Sequence, residues 1–341
     1  MARQAPAWWQ SRGLVACLWL PLSVLFLTIA TLRRLAYRAG IFRAWRLPVP
    51  VVVVGNLAVG GSGKTPVVIW LAQALRKRGL TPAILSRGYG GSAKVPTLVS
   101  ADSDPAVVGD EPVLLARRAQ CPVLVCPDRV AGGRALLKQH PDVDVLITDD
   151  GLQHYRLQRD VEIIVLDPAT LGNRWPLPAG PMREPLSRMA AAQLLLWHGA
   201  EDIALETAAM LGRGVPRIAP MRLQAGDFYR LAAPSERRDA ASLRGLRLRA
   251  VAGIGRPQRF FDTLRALGLE IAQADAFPDH HAYVAADLDL QGCDALLMTE
   301  KDAIKCAALA PPSTWVLPVE ALIADAALVP VLERVHGSQT A

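Results

Sequence analysis

Residues 14 to 32 carry no charged side chain. Such a run forms a helix of roughly 28 Å, about the thickness of a bilayer core. Trp8 and Trp9 precede it, where indole rings anchor among headgroups, and Arg33, Arg34, Arg38, Arg43 and Arg46 follow it. A cleaved signal peptide would end in small residues, whereas this run meets arginines. A buried core helix would be shorter or show a polar face. The pattern therefore predicts an uncleaved membrane anchor with a basic juxtamembrane segment over residues 1–46. Five arginines after the run against two before it (Arg3 and Arg12) predict that the body lies on the cytoplasmic face of the inner membrane. Spanning and lying in one leaflet both remain open, because Pro21 interrupts the run.

Beyond residue 47 the period changes. Val51–Val54, Ala83–Leu85, Val123–Cys126, Val143–Thr148 and Ile163–Leu166 are continuous apolar runs bounded by Gly, Pro or Asp. Runs without alternation suit strands covered on both faces of a parallel sheet. Helical spacing fills the intervals near 66–78, 112–119 and 129–140. The alternation predicts an α/β fold with helices on both faces. A second set of elements starts near residue 216. The basic stretch 235–249 reads as a loop or linker, 249–253 as a strand, 257–267 as a helix and 295–298 as another strand. The expected division is a nucleotide-binding domain over 47–210 and a smaller α/β domain over 211–335.

Composition narrows the class. The chain has 341 residues, 51% of them apolar and 20% charged, which excludes a disordered chain. The net charge of +7 favours anionic partners such as phosphates or an acidic lipid surface. Five cysteines without paired spacing exclude a disulfide framework and read as reduced thiols. Nucleic acid is disfavoured, because aromatic residues make up only 6% and Trp8, Trp9, Trp19 and Trp45 gather at the membrane end.

The segment from Val51 to Thr65, VVVVGNLAVGGSGKT, carries the chemistry. A buried strand runs into a glycine-rich loop, then Lys64 and Thr65, then a helix with Pro66 in its first turn. Gly60, Gly61, Ser62 and Gly63 let backbone N–H groups surround a polyphosphate. Lys64 supplies a charge for the β- and γ-phosphates, and the Thr65 hydroxyl is a Mg²⁺ ligand. The strict phosphate-loop pattern has glycine where this chain has Ala58. A second strand, 143–148, ends in Asp149 and Asp150, the place of a carboxylate that organises Mg²⁺ beside such a loop. The two cannot point the same way along an extended strand. A GTP switch protein is excluded by spacing: Gly151 follows the aspartates too closely, and in Thr299-Glu-Lys-Asp302 the lysine abuts the aspartate. ATP with a chemical acceptor is the reading that remains.

The loop GNLAVGGSGKTP (55–66) and DDGLQH (149–154) together resemble the tetraacyldisaccharide 4′-kinase family of lipid A biosynthesis. SRGYGG (86–91), GDEP (109–112), GPMREP (180–185), GIGRPQRFF (253–261), DHH (279–281) and MTEKDAIK (298–305) agree with it. The resemblance runs from the anchor to about residue 320. It implies two α/β domains with the active site between them, Mg²⁺·ATP as phosphoryl donor, and an acylated glucosamine disaccharide 1-phosphate as acceptor.

By composition alone Asp110 is a helix cap and Glu111 a first-turn charge. The resemblance implies more: Asp110 as the base for a sugar hydroxyl, His280 as its partner with His281 the alternative, and Glu111 as a Mg²⁺ ligand. Arg87 and Arg183 are candidates for contacting phosphates of ATP or substrate. His154 is as suited to bracing the acidic loop as to chemistry. Lys301 and Asp302 open a helix and are placed either to cap it or to reach the nucleotide from the second domain. Membrane lipids are expected partners, and no obligate protein partner is expected. A membrane-tethered ATPase and a kinase for a soluble acceptor are the competing classes.

Overall fold

The computed structural model describes residues 5–199 and 217–339. Fifteen strands lie among those residues, in two sheets. The first nine-stranded sheet contains β1 (Val51–Gly55), β2 (Pro82–Ser86), β3 (Thr97–Val99), β4 (Val123–Val125), β5 (Val145–Asp149), β6 (Val161–Leu166), β7 (Leu194–His198), β8 (Arg217–Ala225) and β15 (Val319–Ile323), in the order β15-β8-β7-β6-β1-β5-β2-β4-β3. The six-stranded sheet contains β9 (Phe228–Arg230), β10 (Ala233–Arg238), β11 (Leu248–Ala252), β12 (Ile271–Ala276), β13 (Ala295–Thr299) and β14 (Thr314–Leu317), in the order β10-β9-β14-β13-β11-β12.

The continuous apolar runs are strands buried on both faces. Val52 and Val54 of β1 face one core with Val67, Leu71 and Leu75 of the helix Lys64–Lys77. Val51 and Val53 face the other core with Val130 and Leu136 of the helix Arg129–Gln139. The strand β1 pairs in parallel with β5 on one side and β6 on the other. From β1 the chain runs outward to β2 on one side, and from β5 it crosses β1 to reach β6 on the other, so a crevice opens beyond the C-terminal end of β1. Open α/β sheets place ligands at such a point. Both the glycine loop and Asp149–Asp150 emerge there.

The two sheets do not divide the chain at one position. Strands β8 and β15 pair antiparallel with each other, and β8 continues the larger sheet beside β7. The helix Val329–Gln339 returns to the same core through Val331 and Val335. The chain thus crosses to the smaller sheet after β8 and comes back at β15. The boundary expected near residue 210 lies outside the described residues. The basic stretch read as a linker is instead ordered. Its first part is the edge strand β10, where the Arg238 guanidinium lies 4.6 Å from the Trp315 ring centroid and Arg237 lies 5.1 Å from that of Tyr229. Arginines on an edge strand leave a helix- or loop-like composition while stacking on aromatic faces.

The anchor is also more tied down than its hydropathy suggests. The uncharged run is broken at Trp19 into the helices Leu14–Leu18 and Leu20–Arg38, because Pro21 cannot donate to the preceding turn. The second helix carries on through Arg33 and Arg34 to Arg38. It is long and apolar enough to cross a membrane, and only 6% of it is buried. Yet it is fastened to the body along its length. The indole N–H groups of Trp8 and Trp9 donate to the Pro178 carbonyl at 3.3 and 2.9 Å. The buried Ser23 hydroxyl donates to the Pro176 carbonyl at 3.0 Å and accepts from the Ala179 N–H at 2.9 Å. Arg34 lies 3.9 Å from Glu184.

Close packing between the helix Arg129–Gln139 and the sheet rests on Gly132. A Cβ there would lie 2.7 Å from Cys126 Cβ and 2.8 Å from Leu85 Cδ1. Glycine-to-alanine in an open helix stabilises by about 1 kcal/mol. Gly132→Ala should instead destabilise, because overpacking costs about 1–3 kcal/mol. Urea unfolding monitored by far-UV circular dichroism measures the sign. A raised midpoint would mean that helix and sheet separate at no cost.

Candidate active site

The loop after β1 turns through Gly60 and Gly63, at φ +119° and +83°, backbone conformations that side chains disfavour. Gly63 is the residue immediately before the helix Lys64–Lys77, so the loop N–H groups and the helix N-terminus converge. The Ser62 hydroxyl is buried without a partner. Lys64 Nζ lies 3.7 Å from Asp150 Oδ1. Thr65 follows in the first turn of the helix. Gly255, in the loop after β11, approaches the Gly61 backbone so closely that a Cβ would lie 3.4 Å from the Gly61 nitrogen. Arg256 and Arg259 from that side both reach Asp167, at the end of β6, at 3.0 Å. The smaller sheet therefore closes directly over the glycine loop.

Asp149 and Asp150 diverge as strand geometry requires. Asp149 ends β5 and is buried, with Oδ2 3.5 Å from the Ser86 hydroxyl and Oδ1 without a hydrogen-bond partner. Burial pushes its carboxyl well above the usual carboxylate range, and the neighbouring Glu111 and Asp150 carboxylates add to this; Lys64 and Arg129 oppose it. Asp150 turns out of the strand at φ +47°. Burial would raise it too, but Lys64 and Arg183 outweigh that and hold it below its ordinary value. Arg183 Nη1 donates to both Asp150 oxygens, at 3.3 and 3.1 Å.

Asp110 opens the helix Asp110–Arg118, behind Gly109, and is 4% exposed. Its Oδ1 accepts from the Glu111 N–H at 2.9 Å. Its Oδ2 lies 3.0 Å from His280 Nδ1 and 3.8 Å from Lys305 Nζ. Burial raises the Asp110 pKa, yet the hydrogen bond from His280 and the charges of Lys301 and Lys305 lower it more, so the carboxyl sits below the ordinary range and is ionised. His280 takes a left-handed backbone, φ +60°, which turns its ring back across the cleft. His281 points elsewhere: its Nε2 lies 2.9 Å from Asp287, and its ring stacks on Phe277 at 4.6 Å. Of the two histidines only His280 reaches Asp110.

Lys301 joins the halves. Its Nζ donates to Glu111 Oε1 at 3.1 Å and to Asp279 Oδ1 at 3.0 Å, and it lies 3.3 Å from His280 Nε2. An ammonium only donates, so His280 Nε2 accepts and the ring proton sits on Nδ1, facing Asp110. Asp302 is structural in its contacts. Its N–H donates to the Thr299 hydroxyl that caps the helix Glu300–Cys306, and its Oδ2 accepts the Gly253 N–H at 3.1 Å, bracing the loop over Gly61. Arg87 is exposed at the rim.

The sequence reading missed several members of this cluster. Tyr89, in the SRGYGG loop, places its ring 5.1 Å from that of His280. Arg129 is buried beneath the acidic pair and donates to the Asp149 carbonyl at 2.8 Å. Glu184 accepts from Gln153 at 2.8 Å and from Tyr155 at 2.9 Å. A charged residue next to a run of apolar ones was the available signal for Arg129, which follows the helix cap Asp128.

His154 lies apart from this cluster. Burial, with the charges of Arg129 and Arg159, pushes its imidazole down to about 4. It is neutral in the fold where a free histidine would take a proton. The unfolded chain therefore binds more protons between about pH 6.5 and 4, and stability is lost as pH falls through that window. The His154 Cε1–H resonance should titrate near pH 4, and His154→Gln should flatten the loss of stability over that window. A midpoint near 6.5 would sink this assignment.

The family model described as "Tetraacyldisaccharide-1-P 4'-kinase" matches residues 15–336. The tetraacyldisaccharide 4′-kinase of Azoarcus sp. is 54% identical over 98% of this chain and 96% of its own length. That of Aromatoleum aromaticum is 54% identical over the whole of both. The LpxK of Aquifex aeolicus, whose crystal structure was solved in complex with ATP, superposes with a TM-score of 0.78 at 29% identity, covering 94% of this chain and 99% of the other. The chain therefore belongs to the tetraacyldisaccharide-1-P 4′-kinase family.

Proposed function

We propose that this chain transfers the γ-phosphoryl group of ATP to the 4′-hydroxyl of a tetraacylated glucosamine disaccharide 1-phosphate, giving the 4′-phosphorylated lipid A precursor. The observation that carries the site assignment is the Asp110–His280 pair, which brings an ionised carboxylate from one sheet's helix and an imidazole from the other's loop together above the glycine loop. Gly60, Gly61, Ser62 and Gly63 hold the polyphosphate through backbone N–H groups, and Lys64 neutralises charge on the transferring group. Asp110 accepts the proton of the acceptor hydroxyl as its oxygen bonds to the γ-phosphorus. The bond from that phosphorus to the β,γ-bridging oxygen breaks, and ADP leaves. His280 holds the Asp110 carboxylate in place through its Nδ1–H. Arg183 and Arg87 are the candidates for contacting phosphates of ATP or substrate.

Mg²⁺ is the cation that such a reaction requires, and the residues fit it. Among the described residues no group of three acid, His or Cys side chains closes a metal site alone. That suits a cation which completes its shell with water and substrate phosphates. Thr65 and one of Asp149 and Asp150, with Glu111 directly or through water, would hold it, and the buried Asp149 Oδ1 has no hydrogen-bond partner of its own. When bound, it supplies charge neutralisation at the β- and γ-phosphates.

The N-terminal helix is the membrane contact. Leu14, Leu18, Val24, Leu25, Ile29 and Leu32 are exposed on it. Because Ser23 in the first turn of the helix Leu20–Arg38 and Arg34 in its last turns both hold the body, the helix lies against the cytoplasmic face and dips into one leaflet. A tetraacylated acceptor resides in the same leaflet.

Transfer of label from [γ-³²P]ATP to the acylated disaccharide 1-phosphate in mixed micelles tests the reading. Wild type should label the lipid; Lys64→Ala and Asp110→Asn should lower kcat by about 10²–10⁴-fold. ATP hydrolysis with no labelled lipid, from folded wild type, would leave the membrane ATPase reading instead. Removal of residues 1–38 should release the protein from vesicles; undiminished vesicle binding by that truncated form would place the membrane contact elsewhere.

A further inference from the structure

The helix Glu300–Cys306 sends two lysines toward the cleft, Lys301 and Lys305, and the reaction above uses neither. Lys301 is taken up by Glu111, Asp279 and His280 Nε2. Lys305, one turn later, is 14% exposed, and its Nζ has no hydrogen-bond partner. It stands instead between two carboxylates, 3.8 Å from Asp110 Oδ2 and 3.5 Å from Asp302 Oδ1, with the Tyr283 ring centroid 5.2 Å away.

Asp302 alone does not account for that position. It is fully buried, and its Oδ2 accepts from the Gly253 N–H at 3.1 Å and from the Thr299 hydroxyl at 2.6 Å. Its Oδ1 has no hydrogen-bond partner. A lysine placed only to neutralise Asp302, one turn earlier on the same helix face, would close on that free oxygen at the usual charged-pair length of about 2.7–2.9 Å. Lys305 stands off from it, toward Asp110. The Asp110 oxygen that it approaches is the one that meets His280; the other oxygen is fixed by the Glu111 N–H. The charge of Lys305 is among those that keep Asp110 ionised.

Asp302 carries the contact on to the glycine loop. Gly253, whose N–H it holds, starts the turn that brings Gly255 against the Gly61 backbone. That turn has no slack: a Cβ at Gly253 would lie 2.7 Å from the Tyr283 hydroxyl and 3.1 Å from Asp302 Oδ1. One ammonium thus faces both the carboxylate set to take the proton and the carboxylate that fixes the cover over the phosphate loop.

We infer that Lys305 is a positioning residue for phosphoryl transfer: its ammonium holds Oδ2 of Asp110 in register and ties that carboxylate to the Asp302–Gly253 turn above the glycine loop. The inference rests on Asp110 as the base. Lys305 acts through Asp110 and touches neither nucleotide nor lipid. Its removal therefore slows the transfer step and leaves the binding of both substrates in place.

The test is a double-mutant cycle between Lys305→Met and Asp110→Asn in the full chain, with phosphoryl transfer to the acylated disaccharide 1-phosphate read in mixed micelles. Methionine keeps an unbranched side chain of similar length and removes the charge. Should Lys305→Met not fold by circular dichroism, Lys305→Gln takes its place, since its amide is uncharged and still able to donate to Asp302. Lys305→Met should lower kcat on the order of 10- to 100-fold, with KM for ATP and for the acceptor held within about twofold. In the Asp110→Asn background the same substitution should cost less than about twofold more, because the group it serves is gone. Lys305→Arg, which keeps the charge, should fall between wild type and Lys305→Met. An undiminished kcat in Lys305→Met would overturn the assignment. So would a loss confined to KM, an equal loss in the Asp110→Asn background, or an Arg variant no better than Met, each the mark of a lysine that only holds the fold together. Undiminished transfer by Asp110→Asn would remove the base on which the inference rests, and absence of transfer by wild type would remove the kinase reading itself.

Discussion

Four carboxylates crowd into one cleft, Asp110 and Asp149 buried and Glu111 and Asp150 partly exposed, and the arrangement of both sheets answers to the cost of gathering them. Asp110, Glu111, Asp149 and Asp150 could not stay together in a low-dielectric crevice without cations, because each charge taken from water costs several kcal/mol. The cations come from widely separated parts of the chain. Lys64 comes from the loop after β1, Arg129 from the helix beneath β5, and Arg183 from the segment before β7. Lys301 and Lys305 come from the smaller sheet's helix. No single element satisfies the cluster. The smaller sheet is held over the glycine loop by the same polar contacts that keep Asp110 ionised, so closing the cleft and fixing the charge of Asp110 are one event.

The acids differ in consequence. Asp110 and Asp150 are surrounded by enough positive charge to lie below their ordinary values, while Asp149 lies above it. The difference comes from what faces each group and not from depth alone. Asp149 has two carboxylates near it and an oxygen that nothing in the chain meets. A divalent cation shared with a triphosphate would relieve that site, whereas a further cation at Asp110 would compete with the proton that the proposed reaction hands to it.

The strands and the loop were legible because they obey local rules. Four valines in a row can only be a strand covered on both faces, and glycines before Lys-Thr behind such a strand specify a phosphate loop. Helices expected at 66–78, 112–119 and 129–140 occur at Lys64–Lys77, Asp110–Arg118 and Arg129–Gln139. What stayed hidden depends on distance in the chain. Nothing local marks Tyr89 as the neighbour of His280, or Ser23 as the partner of Pro176 and Ala179. Nor does composition reveal that β15 leaves the smaller sheet to pair with β8. His280 and His281 have the same local composition; a left-handed backbone at residue 280 separates them, turning one ring to Asp110 while the other packs on Phe277 and bonds Asp287.

The anchor shows the same limit with a different outcome. Hydropathy marks a stretch able to cross a bilayer, but it says nothing about a hydroxyl in the middle of that stretch. Ser23 bonds to two backbone groups of the 176–179 loop, and that loop also holds Trp8 and Trp9. A helix that crossed the bilayer would carry this loop into the hydrocarbon, where its remaining backbone groups would lack partners. Lying along the surface, as proposed above, would avoid that cost and still present Leu14, Leu18, Leu25 and Ile29 to lipid. The same posture would set the depth of the cleft. From Arg34 the contacts run through Glu184 to its neighbour Arg183 and on to Asp150, so the proposed site would stand a few side chains from the membrane surface, where an acceptor whose acyl chains stay in the leaflet would reach it.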